Sequence, residues 1–124
     1  MKQNKILEGK AFAILAVDGF EESELLKPRE ALEACSADVD IVSLKDGVIK
    51  AWKKDQWGEE VDVDQTLSSV SGSDYDGLVL PGGVINADNL RMEKDAVKFV
   101  CEFIKEGKPI AAICHAAWTL IETG

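Results

Sequence analysis

A chain of 124 residues has the length of a single domain, and its 46% of apolar residues is enough to build a hydrophobic core. The formal net charge is −9 at pH 7, from 23 acidic and 14 basic residues, and no basic stripe runs along the sequence. This balance argues against a nucleic-acid partner, because binding a phosphate backbone requires clustered cations that release counterions.

The cysteine and histidine content argues against a metal site. Cys35, Cys101 and Cys114 form an odd set without C-x-x-C spacing, and His115 is the only histidine. This composition indicates free thiols in a reducing compartment rather than a zinc site. The first apolar run, residues 11–17, is too short for a membrane span and has the wrong flanks for a signal peptide. We therefore expect a cytoplasmic protein with no metal, cofactor or membrane segment.

The first predicted elements are a buried strand and a helix. Residues 11–17 are continuously apolar, as in a parallel strand covered on both faces, and an Asp-Gly turn signal follows them. Glu21 and its acidic neighbours then open a helix, because negative side chains favour a helix N-terminus. Pro28 is expected near the first turn of this helix, or else the helix bends there. A second short strand is predicted over residues 39–44.

The segment 45–65 is predicted to form a half-exposed β-hairpin. Asp46-Gly47 and Trp57-Gly58 are turn signals, and residues 61–64 alternate between apolar and acidic side chains. Trp52 and Trp57 would be its large apolar contributors.

The remainder of the chain alternates between predicted strands and helices, which implies an α/β layered fold with a parallel sheet in one domain, residues 1–124. The amphipathic helix before the last strand is expected to bury Ile104 among other apolar residues. The predicted elements are a loop or short helix at 67–74, a core strand at 78–80 that is stopped by Pro81-Gly82-Gly83, a helix at 95–106, a fourth core strand at 110–113, and a last helix from about His115 to Glu122.

A strand-to-helix junction is predicted at Cys114-His115. Adjacent side chains of a regular helix or strand do not face each other, so this pair can cooperate only if Cys114 occupies a tight turn. That arrangement is the nucleophile elbow, and a helix N-terminus directly after it would favour a thiolate. The alternative is a buried structural cysteine beside an incidental histidine, and these residues alone do not decide between the two.

Three segments are expected to meet beyond the carboxyl ends of the strands, where sites of parallel α/β sheets lie. They are residues 18–22, Pro81-Gly82-Gly83 and Cys114-His115. The glycine pair does not have the spacing of a phosphate loop, and alone it indicates only a turn. Beside a cysteine nucleophile, a backbone N–H from this turn and the N–H of His115 could form an oxyanion hole.

Three motifs together carry a resemblance to a known family. Residues 19–25 read GFEESEL, residues 78–83 read LVLPGG, and residues 112–116 read AICHA. In this order they resemble the PfpI family of intracellular cysteine hydrolases, within the superfamily of the Parkinsonism-associated deglycase and the class I glutamine amidotransferases. The resemblance implies a flavodoxin-like three-layer sandwich with a mostly parallel sheet.

The resemblance also implies site residues. Cys114 matches the nucleophile, and His115 matches the adjacent histidine. Glu21 matches the glutamate whose carboxyl approaches the cysteine sulfur, and the backbone N–H groups of Gly83 and His115 match the oxyanion donors. Asp88 matches an acidic position that in some members reaches the histidine of a neighbouring subunit. A helix N-cap is the alternative role for Asp88, and we weigh the two roles equally.

Domains of this family continue for several dozen residues beyond the elbow helix, whereas this sequence stops at Gly124. The chain is therefore expected to correspond to the N-terminal two thirds of a family domain. Either it is a fragment, or a naturally short chain completes its core by association. Together with Trp52 and Trp57 on a half-exposed hairpin, this predicts a homodimer or a larger homo-oligomer.

The function implied by the resemblance is that of a cysteine-dependent hydrolase acting on small carbonyl substrates or glycated protein. The candidate substrates are glyoxal or methylglyoxal adducts (deglycase), free 2-oxoaldehydes (glyoxalase) and peptide bonds (peptidase). Carbonyl-stress chemistry is favoured over proteolysis, because no motif for peptide recognition is found. A stress chaperone or redox sensor, in which Cys114 is simply oxidised, is the alternative from another class.

Overall fold

The computed structural model describes residues 5–113, except for the side chains of residues 84, 85, 87 and 88. The predicted last helix, with Cys114 and His115, lies outside the described residues. In chain order the elements are β1 (Ala11–Leu15), β2 (Phe20–Glu21), α1 (Glu22–Ala34), β3 (Asp38–Ser43), β4 (Val48–Lys53), β5 (Gln56–Asp62), β6 (Gln65–Thr66), two 3₁₀ turns (Leu67–Ser69 and Gly72–Asp74), β7 (Gly77–Leu80), α2 (Val84–Arg91), α3 (Lys94–Lys105) and β8 (Ile110–Ala112).

A five-stranded parallel sheet in the order β6-β3-β1-β7-β8 forms the middle layer. Successive side chains of the central strand β1 enter two different cores, because a strand alternates its faces. Ala13 and Leu15 pack with α2 and α3, whereas Ile14 packs with α1 and the β4–β5 hairpin. Helices therefore cover both faces of the sheet, which confirms the predicted three-layer α/β sandwich with a parallel sheet.

Strand β8 is confirmed as a strand, but its description as a core strand is wrong. Within residues 5–113 it forms one edge of the sheet, and it pairs only with β7. Ala111 is exposed, and Ile110 and Ala112 are half-buried. An edge strand lacks a neighbour on one side, so its apolar side chains are less covered than those of β1.

Helix α3 is confirmed, although one of its predicted buried positions is wrong. Ala96, Phe99, Val100 and Phe103 are buried at three- and four-residue spacing. Ile104 is 48% exposed, because it lies one residue beyond Phe103 and is rotated by about 100° from the centre of the buried face.

The predicted hairpin is confirmed, but its turn lies elsewhere. Strands β4 and β5 pair antiparallel, and β4 also pairs with β2 in a second, smaller sheet. The chain reverses at Lys54, where φ is +60°, whereas Trp57 and Gly58 lie inside β5. Gly58 lies close to α1, because a Cβ at this position would lie 2.6 Å from the Glu22 Oε1 atom, and the Glu22 side chain would have to shift.

The tryptophans of the hairpin form a cross-strand pair. The rings of Trp52 and Trp57 meet edge to face with centroids 5.2 Å apart, and Trp57 is 51% exposed. This exposure agrees with the predicted half-exposed hairpin, while self-association through it stays a prediction.

Two expectations concern helix positions. Pro28 lies inside α1, in its second turn, rather than near its first turn, so the alternative expectation, a bend of the helix at Pro28, stays a prediction. The buried Leu25 precedes it and holds the helix against the sheet. Asp88 lies inside α2, whose N-cap is Gly83, so Asp88 is not a helix N-cap.

The single tyrosine lies near the amino ends of the strands, away from the expected site. The Tyr75 hydroxyl donates a hydrogen bond of 2.8 Å to Asp40 Oδ2. Burial raises the pKa of Tyr75 well above its ordinary value, and the hydrogen bond and charge of Asp40, with the charges of Asp74 and Asp64, raise it further.

We expect the phenol of Tyr75 to ionise only well above its ordinary pKa of about 10 in the folded protein. Since the pKa is raised on folding, this group stabilises the folded state fully below pH ~10, and the stabilisation is lost as pH rises further. The measurement is the phenolate absorbance during an alkaline titration. In Tyr75→Phe, stability at neutral pH should fall by about 1 kcal/mol through the lost hydrogen bond, and alkaline destabilisation should be weaker. A folded-state midpoint at the ordinary value would contradict this.

Candidate active site

The candidate site is built where β1, β7 and β8 end. The N–H of Ile113 donates a 3.0 Å hydrogen bond to the Leu80 carbonyl, so the chain still follows β7 at the residue before Cys114. Leu80 in turn directly precedes Pro81-Gly82-Gly83. The predicted nucleophile Cys114 and its neighbour His115 lie outside the described residues, and their roles stay predictions.

Two of the three expected segments contact each other. The Glu21 N–H donates to the Gly82 carbonyl at 3.0 Å, and the Gly82 N–H donates to Glu24 Oε1 at 2.9 Å. The start of α1 therefore holds both polar groups of Gly82. The structure thus brings the acidic motif after β1 against the glycine loop after β7.

Gly83 adopts a backbone conformation that requires glycine. Its φ is +105°, a value that L side chains rarely adopt, and a Cβ there would collide with the Gly19 carbonyl oxygen and lie 3.0 Å from the Glu21 nitrogen. Among the described backbone and side-chain groups, no acceptor takes the Gly83 N–H. An N–H without an acceptor at the N-terminus of a helix suits a developing negative charge, because the helix dipole adds to it.

The structure gives the motif's three glutamates different surroundings. The side chain of Glu21 is half-buried and makes no N-cap hydrogen bond to α1, although its backbone N–H binds the loop. Glu22 points to the hairpin, where it accepts the Glu59 N–H at 2.8 Å and lies 3.6 Å from the Lys53 ammonium. Glu24 is the carboxylate that binds the glycine loop.

Glu24 was missed as a site residue, although the motif contains it. Glu24 follows Glu21 by three residues, a spacing that places two side chains on one face of a helix. That spacing is the sequence signal that points to Glu24 as well as to Glu21. The proposed approach of the Glu21 carboxyl to a sulfur stays a prediction.

Asn86 is a second residue that the sequence did not reveal. Its side chain is fully buried, and its Oδ1 atom accepts the Val17 N–H at 2.8 Å. Its Nδ2 group donates to the Pro81 carbonyl at 3.0 Å and, at 3.5 Å, to the Gly82 carbonyl. Asn86 therefore connects the end of β1 to the glycine loop. Asp88 lies on the same helix, and its predicted contact with a neighbouring subunit stays a prediction.

A cavity of about 300 Å³ opens beside the end of β1. Asp18 and Lys45 contribute charged groups to it, and Val17 and Ile49 contribute apolar surface. Glu21, Glu24, Gly82 and Gly83 are not among the described residues that line it. Among the described side chains, no three His, Cys, Asp or Glu residues are grouped so that they could hold a metal ion.

Comparison with known proteins gives one family. A family model described as the DJ-1/PfpI family matches residues 10–124. The chain is 36% identical over 110 residues to Deglycase PfpI of Pyrococcus furiosus, covering 89% of the chain and 63% of the relative. It is 34% identical over 113 residues to General stress protein 18 of Bacillus subtilis, covering 91% of the chain and 64% of the relative. The chain thus spans less than two thirds of each relative.

The fold is also similar to that of solved structures. A two-domain protein of Anabaena variabilis that contains DJ-1/ThiJ/PfpI-like and ferritin-like domains superimposes with a TM-score of 0.84 at 29% sequence identity. The match covers 92% of this chain and 32% of that protein. None of the helices in residues 5–113 has the length and apolar character needed to cross a membrane.

Proposed function

Because the chain belongs to the DJ-1/PfpI family, we propose that it is a cysteine-dependent hydrolase with Cys114 as its nucleophile. The observation that carries the proposal is the glycine loop. Strand β8 pairs with β7, and Ile113, the residue before Cys114, still donates to the Leu80 carbonyl. Strand β7 leads into a loop whose Gly83 N–H has no acceptor among the described groups. A nucleophile and an oxyanion donor would then arise from adjacent strand ends.

In the proposed reaction, the Cys114 thiolate adds to a carbonyl carbon, and the carbonyl electron pair moves onto oxygen. The N–H groups of Gly83 and His115 would stabilise this oxyanion, which is the role of a preorganised oxyanion hole. With an amide substrate, collapse of the intermediate expels the amine, which takes a proton from His115, and leaves a thioester. A 2-oxoaldehyde has no leaving group at the attacked carbon. Its hemithioacetal would instead move the C1 proton to C2 through an enediol, which gives a 2-hydroxyacyl thioester with no external oxidant or reductant. Water then hydrolyses the thioester and restores the thiol.

We infer that the substrates are small carbonyl compounds or their early adducts on amines. The name Deglycase PfpI of one relative supports this class of chemistry, and the name General stress protein 18 of another supports a role in stress protection.

The test compares three reactions of the 124-residue chain: methylglyoxal consumption, removal of methylglyoxal-derived adducts from an amine, and casein cleavage. We expect one of the first two to dominate and to require Cys114. Casein cleavage as the dominant reaction would instead identify a peptidase. Suppression of aggregation that survives Cys114→Ala, without turnover, would identify a chaperone.

The two glutamates at the loop can be separated by matched substitutions. Glu24→Ala removes the acceptor of the Gly82 N–H, so we expect stability to fall by about 1–3 kcal/mol, because a half-buried donor is left without its partner. We expect turnover to fall by roughly tenfold, because Gly82 and Gly83 would no longer be held in one position and misplaced groups in an active site commonly lower the rate by this much. Glu21→Ala keeps the backbone N–H that binds Gly82, so its effect on stability should be smaller.

Thermal unfolding and turnover of the two variants provide the measurement. Glu24→Gln, which retains an acceptor oxygen, should recover most of the stability lost in Glu24→Ala. A larger loss of turnover in Glu21→Ala than in Glu24→Ala would favour the role predicted for Glu21 from the sequence.

A further inference from the structure

The side chain of Asn86 is fully buried, and its partners among the described residues are backbone groups of the two loops around the candidate site. Its oxygen holds the Val17 N–H at the end of β1, and its nitrogen holds the Pro81 carbonyl and, more weakly, the Gly82 carbonyl. A buried amide with all these partners is well satisfied, and it fixes the relative position of the two segments it joins.

The first peptide unit of the glycine loop is held at both ends. The Pro81 carbonyl accepts from Asn86, and the Gly82 N–H donates to Glu24. The carbonyl and N–H of a trans peptide point in opposite directions, so these two bonds define the orientation of the whole unit.

The second peptide unit is held at only one end. The Gly82 carbonyl accepts from the Glu21 N–H at 3.0 Å and from Asn86 at 3.5 Å. The Gly83 N–H of the same unit must then point away from Asn86, and none of the described groups accepts it.

We propose that Asn86 is a positioning residue that sets the direction of the Gly83 N–H and thereby prepares the oxyanion hole. The proposal rests on the proposed function, in which this N–H stabilises the oxyanion formed when Cys114 attacks a carbonyl. Asn86 acts through the Pro81 and Gly82 carbonyls and does not touch the substrate.

Two reactions of the same thiol separate this role from a general structural one. Acylation by p-nitrophenyl acetate joins the Cys114 sulfur to the acetyl carbon, passes through an oxyanion and expels p-nitrophenolate. Alkylation by iodoacetamide joins the sulfur to a methylene carbon and expels iodide without forming an oxyanion. Only the first reaction needs the Gly83 N–H.

The test variant is Asn86→Asp in a Cys35→Ser, Cys101→Ser background, so that Cys114 is the only thiol. A carboxylate retains an acceptor for the Val17 N–H but has no donor for the two carbonyls. We expect acylation to fall at least about tenfold relative to alkylation, a part of the roughly 10²–10³ lost when an oxyanion donor is removed. The matched control is Val100→Ala, a buried substitution on α3, which should change both reactions equally.

Lowering the pH provides a rescue. Burial raises the pKa of the introduced carboxyl, and its protonated form has an O–H that can donate to the Pro81 carbonyl. The ratio of acylation to alkylation in Asn86→Asp, divided by that of the background protein, should therefore recover as pH falls. A ratio that equals the control's at every pH would overturn the proposal while leaving the proposed function intact.

If acylation did not depend on Cys114, the proposed function would be wrong. The positioning role of Asn86 can still be tested in that case, by NMR spectroscopy of the glycine loop. We expect the amide resonance of Gly83 to shift or broaden in Asn86→Asp more than in Val100→Ala. Gly82 and Gly83 amide resonances that are the same in Asn86→Asp as in the background protein would overturn the positioning role.

Discussion

Replacement of Cys114 by alanine should lower turnover by at least about 10³-fold, because removal of the nucleophile from a covalent mechanism leaves only the contribution of binding and of the oxyanion donors. The fold of residues 5–113 should remain, since each helix and strand of this region is held by contacts within it. The measurement is turnover of the carbonyl substrate that proves most reactive among methylglyoxal and its amine adducts. Thermal unfolding of the variant is measured in parallel.

The chain contains its own controls for this substitution. Cys35 and Cys101 are free, half-buried cysteines on other parts of the molecule. Cys35 caps the end of α1, and Cys101 lies on α3. Alanine at either position should leave turnover within about threefold, the scale expected of substitutions outside a site. Equal losses at all three cysteines would indicate damage to the fold and would contradict a nucleophilic role for Cys114.

The parallel sheet could be predicted from the sequence because its signals are local. Continuous apolar residues mark the central strand, and the spacing of Ala96, Val100 and Phe103 marks α3. Helix α2 was missed, since its sequence VINADNLR contains two asparagines and an aspartate, which favour caps and turns over helix interiors. The fully buried Leu90 packs α2 into the core next to α3, and this tertiary contact outweighs the weak local preference.

The parts of the site that the sequence did not reveal depend on contacts between distant residues. Glu24 binds the backbone of a residue 58 positions away, and Asn86 binds one 69 positions away. A motif indicates which residue types are present, but only the packing of α1 and α2 against the strand ends shows which side chain reaches the loop. Gly58 was misassigned to a turn for the same reason, since the side chain that approaches it is Glu22, 36 positions earlier.

The second large effect is expected for Gly83→Ala, which should lower both stability and turnover. The φ of +105° alone should cost about 1–3 kcal/mol for an alanine, and the new methyl group would also collide with the Gly19 carbonyl oxygen. Since that oxygen belongs to the backbone, relief requires the loop to move. The Gly83 N–H would then leave its position, and turnover should fall by roughly 10²–10³-fold, the loss typical of a missing oxyanion donor.

Gly47→Ala is the matched control, because it introduces the same backbone strain without a collision and at a position outside the candidate site. Gly47 has a φ of +107°, close to that of Gly83, and nothing lies within 4 Å of the Cβ that alanine would add. Its alanine variant should therefore lose stability through strain alone and keep its turnover. Chemical denaturation of both variants, with turnover measured under conditions where each is folded, gives the comparison. If Gly83→Ala lost no more stability than Gly47→Ala and remained fully active, Gly83 would be only a helix cap, and the oxyanion role of its N–H would have to be abandoned.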